Sequence, residues 1–286
     1  MSNMLFAFPN LADDAILSNG RYLATLPQSN VQDDRLDKVA RSITTALADT
    51  INDFDLGTSR VIRIVSVLSH NLSINATIRI RGGEDPTFAV FNYDSGFLDA
   101  YPEIYPSGVL AWGDAGLWDG KAGQGELDGG YPIEFHHLVS PINKGQYWRV
   151  EISDVSNPLG TVDVGKIVIS PGYQPTINMI QGLSIGYETS STSTETDGQT
   201  SFHNARVRKR KVDFRFNDIP GDEGFVKQFD IPRDRGTSEP FLFIYDPDDT
   251  FHLHRRSVWG TLRRLSPLGV PFATRTTSAY TFVEEL

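Results

Sequence analysis

The stretch YWRVEISDVSNPLGTVDVGKIVI, residues 147–169, decides the fold. Trp148, Val150 and Ile152 alternate with Tyr147, Arg149, Glu151 and Ser153, the period of two that gives a strand one buried face. Asn157-Pro158-Leu159-Gly160 supplies turn residues. Val162, Val164, Ile167 and Ile169 then carry a second apolar face, and Gly165 marks a bulge or a close approach of backbone. The stretch reads as a hairpin in an antiparallel β-sandwich, with Trp148 in its core.

The same pattern recurs along the chain. Residues 60–68 are too apolar for an exposed edge, and residues 75–81 place Ala76, Ile78 and Ile80 inward against Thr77, Arg79 and Arg81 outward. Short strands are expected at 4–9 and 15–17, and a short helical stretch around 36–40. Strands are also expected at 133–139, 207–216, 225–231, 240–245, 257–265 and 279–283. Residues 92–132, rich in glycine, proline and aromatics, read as a long loop inserted in the sandwich. Residues 186–200, GYETSSTSTETDGQT, form a polar linker or mobile loop. The expected organisation is a jelly-roll β-sandwich over 1–185, that linker, and a second β-rich region over 201–286. The fold class is all-β.

Composition narrows the chemistry. With 39% hydrophobic and 11% aromatic residues the 286-residue chain affords a core, which excludes general disorder. A formal net charge of −10 argues against broad contact with nucleic acid. The absence of cysteine removes disulfides, thiolate metal sites and a cysteine nucleophile. No signal peptide or membrane span is read, so synthesis in a host cytoplasm is expected.

Four patches, residues 11–32 (LADDAILSNGRYLATLPQSNVQ), 61–82, 147–154 and 163–187, resemble the discoidin-like, galactose-binding-like jelly roll found in tail structural proteins of bacteriophages. RKRKVDFRF, FLFIYDPDDTFHLHRRSVWGTL and the final FVEEL are similar to the trailing part of those proteins. The resemblance implies a structural subunit of the virion tail, distal tail or baseplate, acting by ring assembly with neighbouring tail and baseplate proteins. It implies a homo-oligomer, hexameric or trimeric, with nucleic acid at most passing through a lumen. The alternative is a carbohydrate-binding module that recognises a host surface glycan.

The residues themselves offer two contact surfaces. Tyr101, Tyr105, Trp112, Trp118 and Tyr131, with Tyr93 nearby, bring planar apolar faces to the 92–132 loop, and Asp99, Asp114 and Asp119 bring acceptors. Such a set suits a neighbouring subunit first and a sugar ring second. Arg206, Arg208, Lys209, Arg210 and Lys211 form the strongest basic run. On a strand, Arg206, Arg208 and Arg210 share one face, suited to an acidic subunit surface or to solvent at a sheet edge.

Catalytic and metal patterns are weak. His252 and His254 would share a strand face as half of a metal site, but Arg255 and Arg256 would repel a cation and no third ligand is evident. His136 and His137 point to opposite faces. Asp246-Pro247-Asp248-Asp249 lacks the spacing of a calcium loop and reads as a turn. Residues 113–130 lack the order of a phosphate loop. Glu126, Asp128 and Glu134 form only a generic acid–base set, and no Gly-x-Ser-x-Gly elbow exists. No catalytic residue, metal site or cofactor is assigned, and no enzymatic activity is expected. His70 and Asn71 read as a packed, hydrogen-bonded corner at a turn.

Overall fold

The computed structural model describes residues 2–106, 108–114, 117–123, 125, 134–179, 182–195, 201–249 and 251–286. The chain divides into two compact units, the first Met1–Tyr173 with Ile244–Ser257, the second Gln174–Phe243 with Val258–Leu286. Among the described residues no helix is long and apolar enough to cross a membrane.

The first unit holds β1 (Leu5–Ala7), β2 (Ile16–Ser18), β3 (Ala40–Arg41), β4 (Ile51–His70), β5 (Thr77–Gly83), β6 (Tyr93–Asp99), β7 (Glu134–Ser153) and β8 (Asp163–Ser170). Its frame is the antiparallel pair β4–β7, which runs from Ile51 opposite Glu151 to Leu68 opposite Glu134. The register shifts between Asp55 and Arg60 and between Ile62 and Ile64, where extra residues bend the ladder. On one side of this bend β2 adds to β4, β5 to β7 and β6 to β5. On the other, β8 adds to β4 and β3 to β8. The strands therefore fold over as the two layers of an antiparallel jelly roll. Phe54, Ile78, Ile80, Trp148, Val150 and Ile152 from one layer share a core with Val65, Val67, Phe135, Val139, Val164, Ile167 and Ile169 from the other.

This arrangement corrects the hairpin expected over 147–169. Residues 147–153 pair with β4 and β5, whereas β8 pairs with β4 and β3. The turn at 157–160 is thus a crossover between layers. Asn157 ties it down by donating to Asn71 O (3.1 Å) and Asp154 Oδ2 (2.9 Å). Asn71 in turn donates to Thr161 O at 3.0 Å and accepts from Asp163 N at 2.8 Å, so its bonds are long-range. The left-handed residue of that corner is Ser69, with φ 51°. Gly165 meets the expectation of a close approach, because a Cβ there would lie 2.7 Å from Leu36 O.

Outward-facing charges of the first layer pair off. Arg149 binds Asp53 through two bonds of 2.6 and 2.7 Å, Arg79 binds Asp94, and Arg81 binds Glu151. The Phe88 ring lies under the Arg149 guanidinium at 4.1 Å. Three cations thereby meet three carboxylates beneath an aromatic cover, which accounts for the burial of Glu151 on a face the alternation assigns to solvent. In the other layer the buried Lys166 reaches Asp13 (2.6 Å), Asp34 (2.8 Å) and Gln32 O (2.9 Å), holding the N-terminal segment against β8.

The second unit carries β9 (Ser184–Glu188), β10 (Thr192–Glu195), β11 (Ser201–Asn204), β12 (Lys209–Pro220), β13 (Phe241–Ile244), β14 (Ser257–Leu262), β15 (Gly269–Phe272) and β16 (Arg275–Glu284), apart from the end residues Ile244 and Ser257, which fall in the first. Its sheet runs β13-β14-β16-β12-β9, with β15 on β16, while β10 and β11 make a separate ribbon. Phe214, Phe243 and Tyr280 stack in its core, Phe214 lying 4.7 Å from Phe243 and 5.4 Å from Tyr280.

Several elements differ from expectation. Residues 93–99, expected inside a long loop over 92–132, form β6 and pair with β5. Residues 225–231, expected as a strand, are helical, with Gly224, Gln228 and Ile231 buried at helical spacing. No helix forms around 36–40, where Ala40 and Arg41 instead pair with Val164 and Asp163. Within 186–200, expected as a linker or mobile loop, residues 186–188 belong to β9 and 192–195 form β10, and residues 196–200 lie outside the described set.

Candidate functional site

The first unit's 100–123 segment is built as a pinned loop. Ala100 N donates to Ala76 O (2.9 Å), holding the loop to the start of β5. Ile104 N and Tyr105 N both donate to Gly120 O, at 2.8 and 3.0 Å. Gly120 has φ 65°, and a Cβ there would sit 2.8 Å from Tyr105 O, so glycine is required at this closure. Lys121 Nζ then pairs with Asp99 Oδ2 at 3.0 Å. Between these ties the chain turns at Pro106–Val109 and again at Ala111–Asp114.

Beyond the pinned base stand Trp112 and Trp118, 86% and 85% exposed. Their rings meet edge to face, with centroids 5.7 Å apart and planes at 78°. Exposed tryptophan is costly apolar surface, and a paired arrangement fixes two faces nearly at right angles. The nearby acids hold the loop itself. Asp114 Oδ2 accepts Ala111 N at 2.8 Å, and Asp119 Oδ1 accepts Lys121 N at 3.1 Å.

Tyr93, Tyr101 and Tyr105, also expected in this surface, do not join the pair. Tyr101 is buried, its hydroxyl donating to Leu72 O at 3.0 Å and its ring edge-on to His70 at 5.6 Å. Burial pushes its hydroxyl pKa up to about 12. Tyr93 is likewise buried, bonded to His137 Nε2 and packed on Trp148. Tyr105 is half-buried at the closure. Tyr131, Glu126 and Asp128 lie outside the described residues.

A cavity of about 250 Å³ opens beside the loop base, lined by Asp99, Pro102, Glu134, His136, His137 and His254 among others. His136 Nε2 lies 2.7 Å from Ser257 Oγ and 3.1 Å from Glu134 Oε2, while its Nδ1 faces Ser66 Oγ at 3.0 Å. A serine–histidine–carboxylate triad needs the acid on Nδ1, opposite the nucleophile. Here acid and serine share Nε2, and Ser257 is fully buried and also donates to Leu253 O at 2.8 Å. The group is a buried polar hub.

His252 and His254 sit in a turn and not on a strand, which separates them as a metal pair. Burial, with Arg255 adding to it, lowers the His254 pKa to about 3. Burial also lowers His137. Among the described residues no group of three or more histidines and acids is arranged to hold a metal ion. The Asp246–Asp249 turn is clamped by Arg256, which reaches Asp246 and, at 2.6 Å, Asp249.

In the second unit the basic run divides. Arg206 and Arg208 are exposed and precede β12. Arg210 turns inward with Val212 and Phe214 and binds Glu284 Oε1 at 2.6 Å, while Lys209 binds Glu285 at 2.7 Å and Lys211 binds Asp213 at 3.0 Å. The chain's own acids therefore neutralise three of the five cations proposed for a neighbouring subunit. Sequence alternation could not show this, because Glu284 lies at the far end of the sheet's partner strand.

The sequence matches no known protein family and no curated protein. Similar folds are found among solved structures. The lectin domain of lectinolysin in complex with the Lewis B antigen is 12% identical, with a TM-score of 0.37 over 57% of this chain and 96% of that one. A Streptococcus pneumoniae fucose-binding module is 7% identical, with a TM-score of 0.35 over 57% and 95%. CBM32-1 from a family 31 glycoside hydrolase of Clostridium perfringens is 11% identical, with a TM-score of 0.37 over 57% and 98%. These three are carbohydrate-binding domains, and none is a virion tail protein of the kind expected from the sequence. Identities this low carry no ligand from them to this chain.

Proposed function

We propose that the first unit is a carbohydrate-recognition domain whose contact surface is the Trp112–Trp118 pair. The observation that carries this reading is the exposure of two tryptophan rings on a loop whose base is pinned. Sugar rings present apolar C–H faces that lie flat on such rings, and a corner of two faces accepts a branched or bent chain. The ligand is a surface glycan, bound and not turned over. A glycan array on the whole chain tests it, with Trp112→Ala/Trp118→Ala as the comparison. The double variant is expected to lose at least tenfold in affinity, about 1.4 kcal/mol, with its melting temperature unchanged. Absence of any bound glycan, or equal binding by the variant, ends the reading.

A second reading is supported by the second unit and by the sequence resemblance. It takes the chain as a structural subunit of a phage tail or baseplate that assembles into a ring. Edge strand β9 exposes Ile185 at 46% and Tyr187 at 72%, and the β10–β11 ribbon is exposed throughout. An open apolar edge is a template for another chain, and head-to-tail contacts close into rings when the rotation permits. Light scattering across a concentration series distinguishes a closed oligomer from a monomer.

A further inference from the structure

The paired charges of the second unit leave four arginines without a carboxylate among the described residues: Arg206 and Arg208 ahead of β12, Arg215 within it, and Arg264 just after β14. Lys209, Arg210, Lys211 and Arg263 each meet a carboxylate. The side chains of Arg215 and Arg264 form no ion pair or hydrogen bond among the described residues. Both are exposed, and both line two cavities of about 470 and 520 Å³ that also share Ala279. The two cavities are thus one trough across the outer face of β12 and β16, where Arg215 stands opposite Ala279 and Asp213 opposite Thr281.

Asp213 is the one carboxylate among the described lining residues. It is engaged by Lys211 at 3.0 Å and by Thr281 Oγ1 at 2.6 Å, and Arg264 acts on it only through its charge. Two guanidiniums facing one concavity repel each other unless an anion joins them. Their planar forks match the geometry of a carboxylate or sulfate.

We propose that this trough binds an acidic saccharide, with a carboxylate- or sulfate-bearing sugar residue held between Arg215 and Arg264. The small Ala279 keeps the floor open. Asn217, Ser266 and Thr277 supply neutral hydrogen-bonding groups for hydroxyls, and Leu265 and Pro267 supply apolar edges for C–H faces. A nucleic acid strand fits less well. Bases need exposed aromatic platforms, the aromatic side chains in the lining, Phe214, Phe216 and Tyr280, are buried, and a net charge of −10 opposes a long polyanion. The site is independent of Trp112 and Trp118 and stands or falls without them.

The test is an array of carboxylated and sulfated glycans printed beside neutral counterparts of the same backbone, probed with the full chain. At least one acidic glycan is expected to bind tenfold or more above its neutral counterpart, and binding should weaken with added salt. Arg215→Gln/Arg264→Gln should remove that preference with an unchanged melting temperature, whereas Trp112→Ala/Trp118→Ala should keep it. Three results overturn the proposal: no acidic glycan held above its counterpart, an equal preference in the arginine variant, or displacement of the glycan by single-stranded DNA at equal charge concentration. Loss of the preference in the tryptophan variant alone would move the acid-binding site to the first unit and also overturn it.

Discussion

His70 sits at the end of β4 with its ring against Tyr101 and no side-chain partner for either nitrogen. Burial lowers its pKa to about 3, against an opposing pull from Glu134 and a small further lowering by His136. An unfolded imidazole takes its proton near pH 6.5, so folding here excludes a proton. The stabilising contribution is whole above pH 6.5 and is lost as pH falls toward 3, at up to about 1.4 kcal/mol per pH unit. His254, lowered for the same reason, adds to the slope with the same sign. Urea midpoints between pH 7 and 4 are expected to fall more steeply for the natural chain than for His70→Phe, and parallel curves would refute this. From the sequence His70 reads as a packed, hydrogen-bonded corner; it is packed, but neither ring nitrogen has a hydrogen-bond partner among the described residues. Likewise the sequence could not separate Tyr101 from Trp112. Both lie in one glycine-rich stretch, and only the distant His70 and Leu72 decide which is buried.

At the scale of elements, alternation located the strand cores of 60–68, 75–81 and 147–153, because a half-buried strand writes its period locally. It did not locate their partners. Residues 147–153 look like one arm of a hairpin with 163–170, yet the two belong to different layers, since the crossover at 157–160 is as short as a hairpin turn. Helical residues 224–231 passed for a strand because four apolar side chains in a short run fit either period. The crossover also depends on space at Gly165. Gly165→Val would drive its side chain into Leu36 O and Ser69, with an expected cost of about 1–3 kcal/mol in denaturant unfolding. An unchanged midpoint would show that β8 can shift to make room.

For the whole molecule, the two readings of function fall on different units and can be separated. If β9 is the assembly edge, Ile185→Lys/Tyr187→Lys should reduce the solution mass to that of a monomer while glycan binding through Trp112 and Trp118 persists. A variant that still forms the natural oligomer would remove β9 from the interface. Charge reversal along the basic run is a poorer probe, because Arg210 and Lys209 hold Glu284 and Glu285 of the same chain.

The long β4–β7 ladder encloses everything between His70 and Glu134, including β5, β6 and the tryptophan loop. The entropy of closing such a loop rises only logarithmically, about 0.6 kcal/mol for each doubling of its length. Residues can therefore be added to or exchanged in the tip between the ties at Tyr105 and Gly120 at little thermodynamic cost. If the tip binds glycan as proposed, the frame is a constant mount for a replaceable recognition segment, able to follow a changing receptor without redesign of its core.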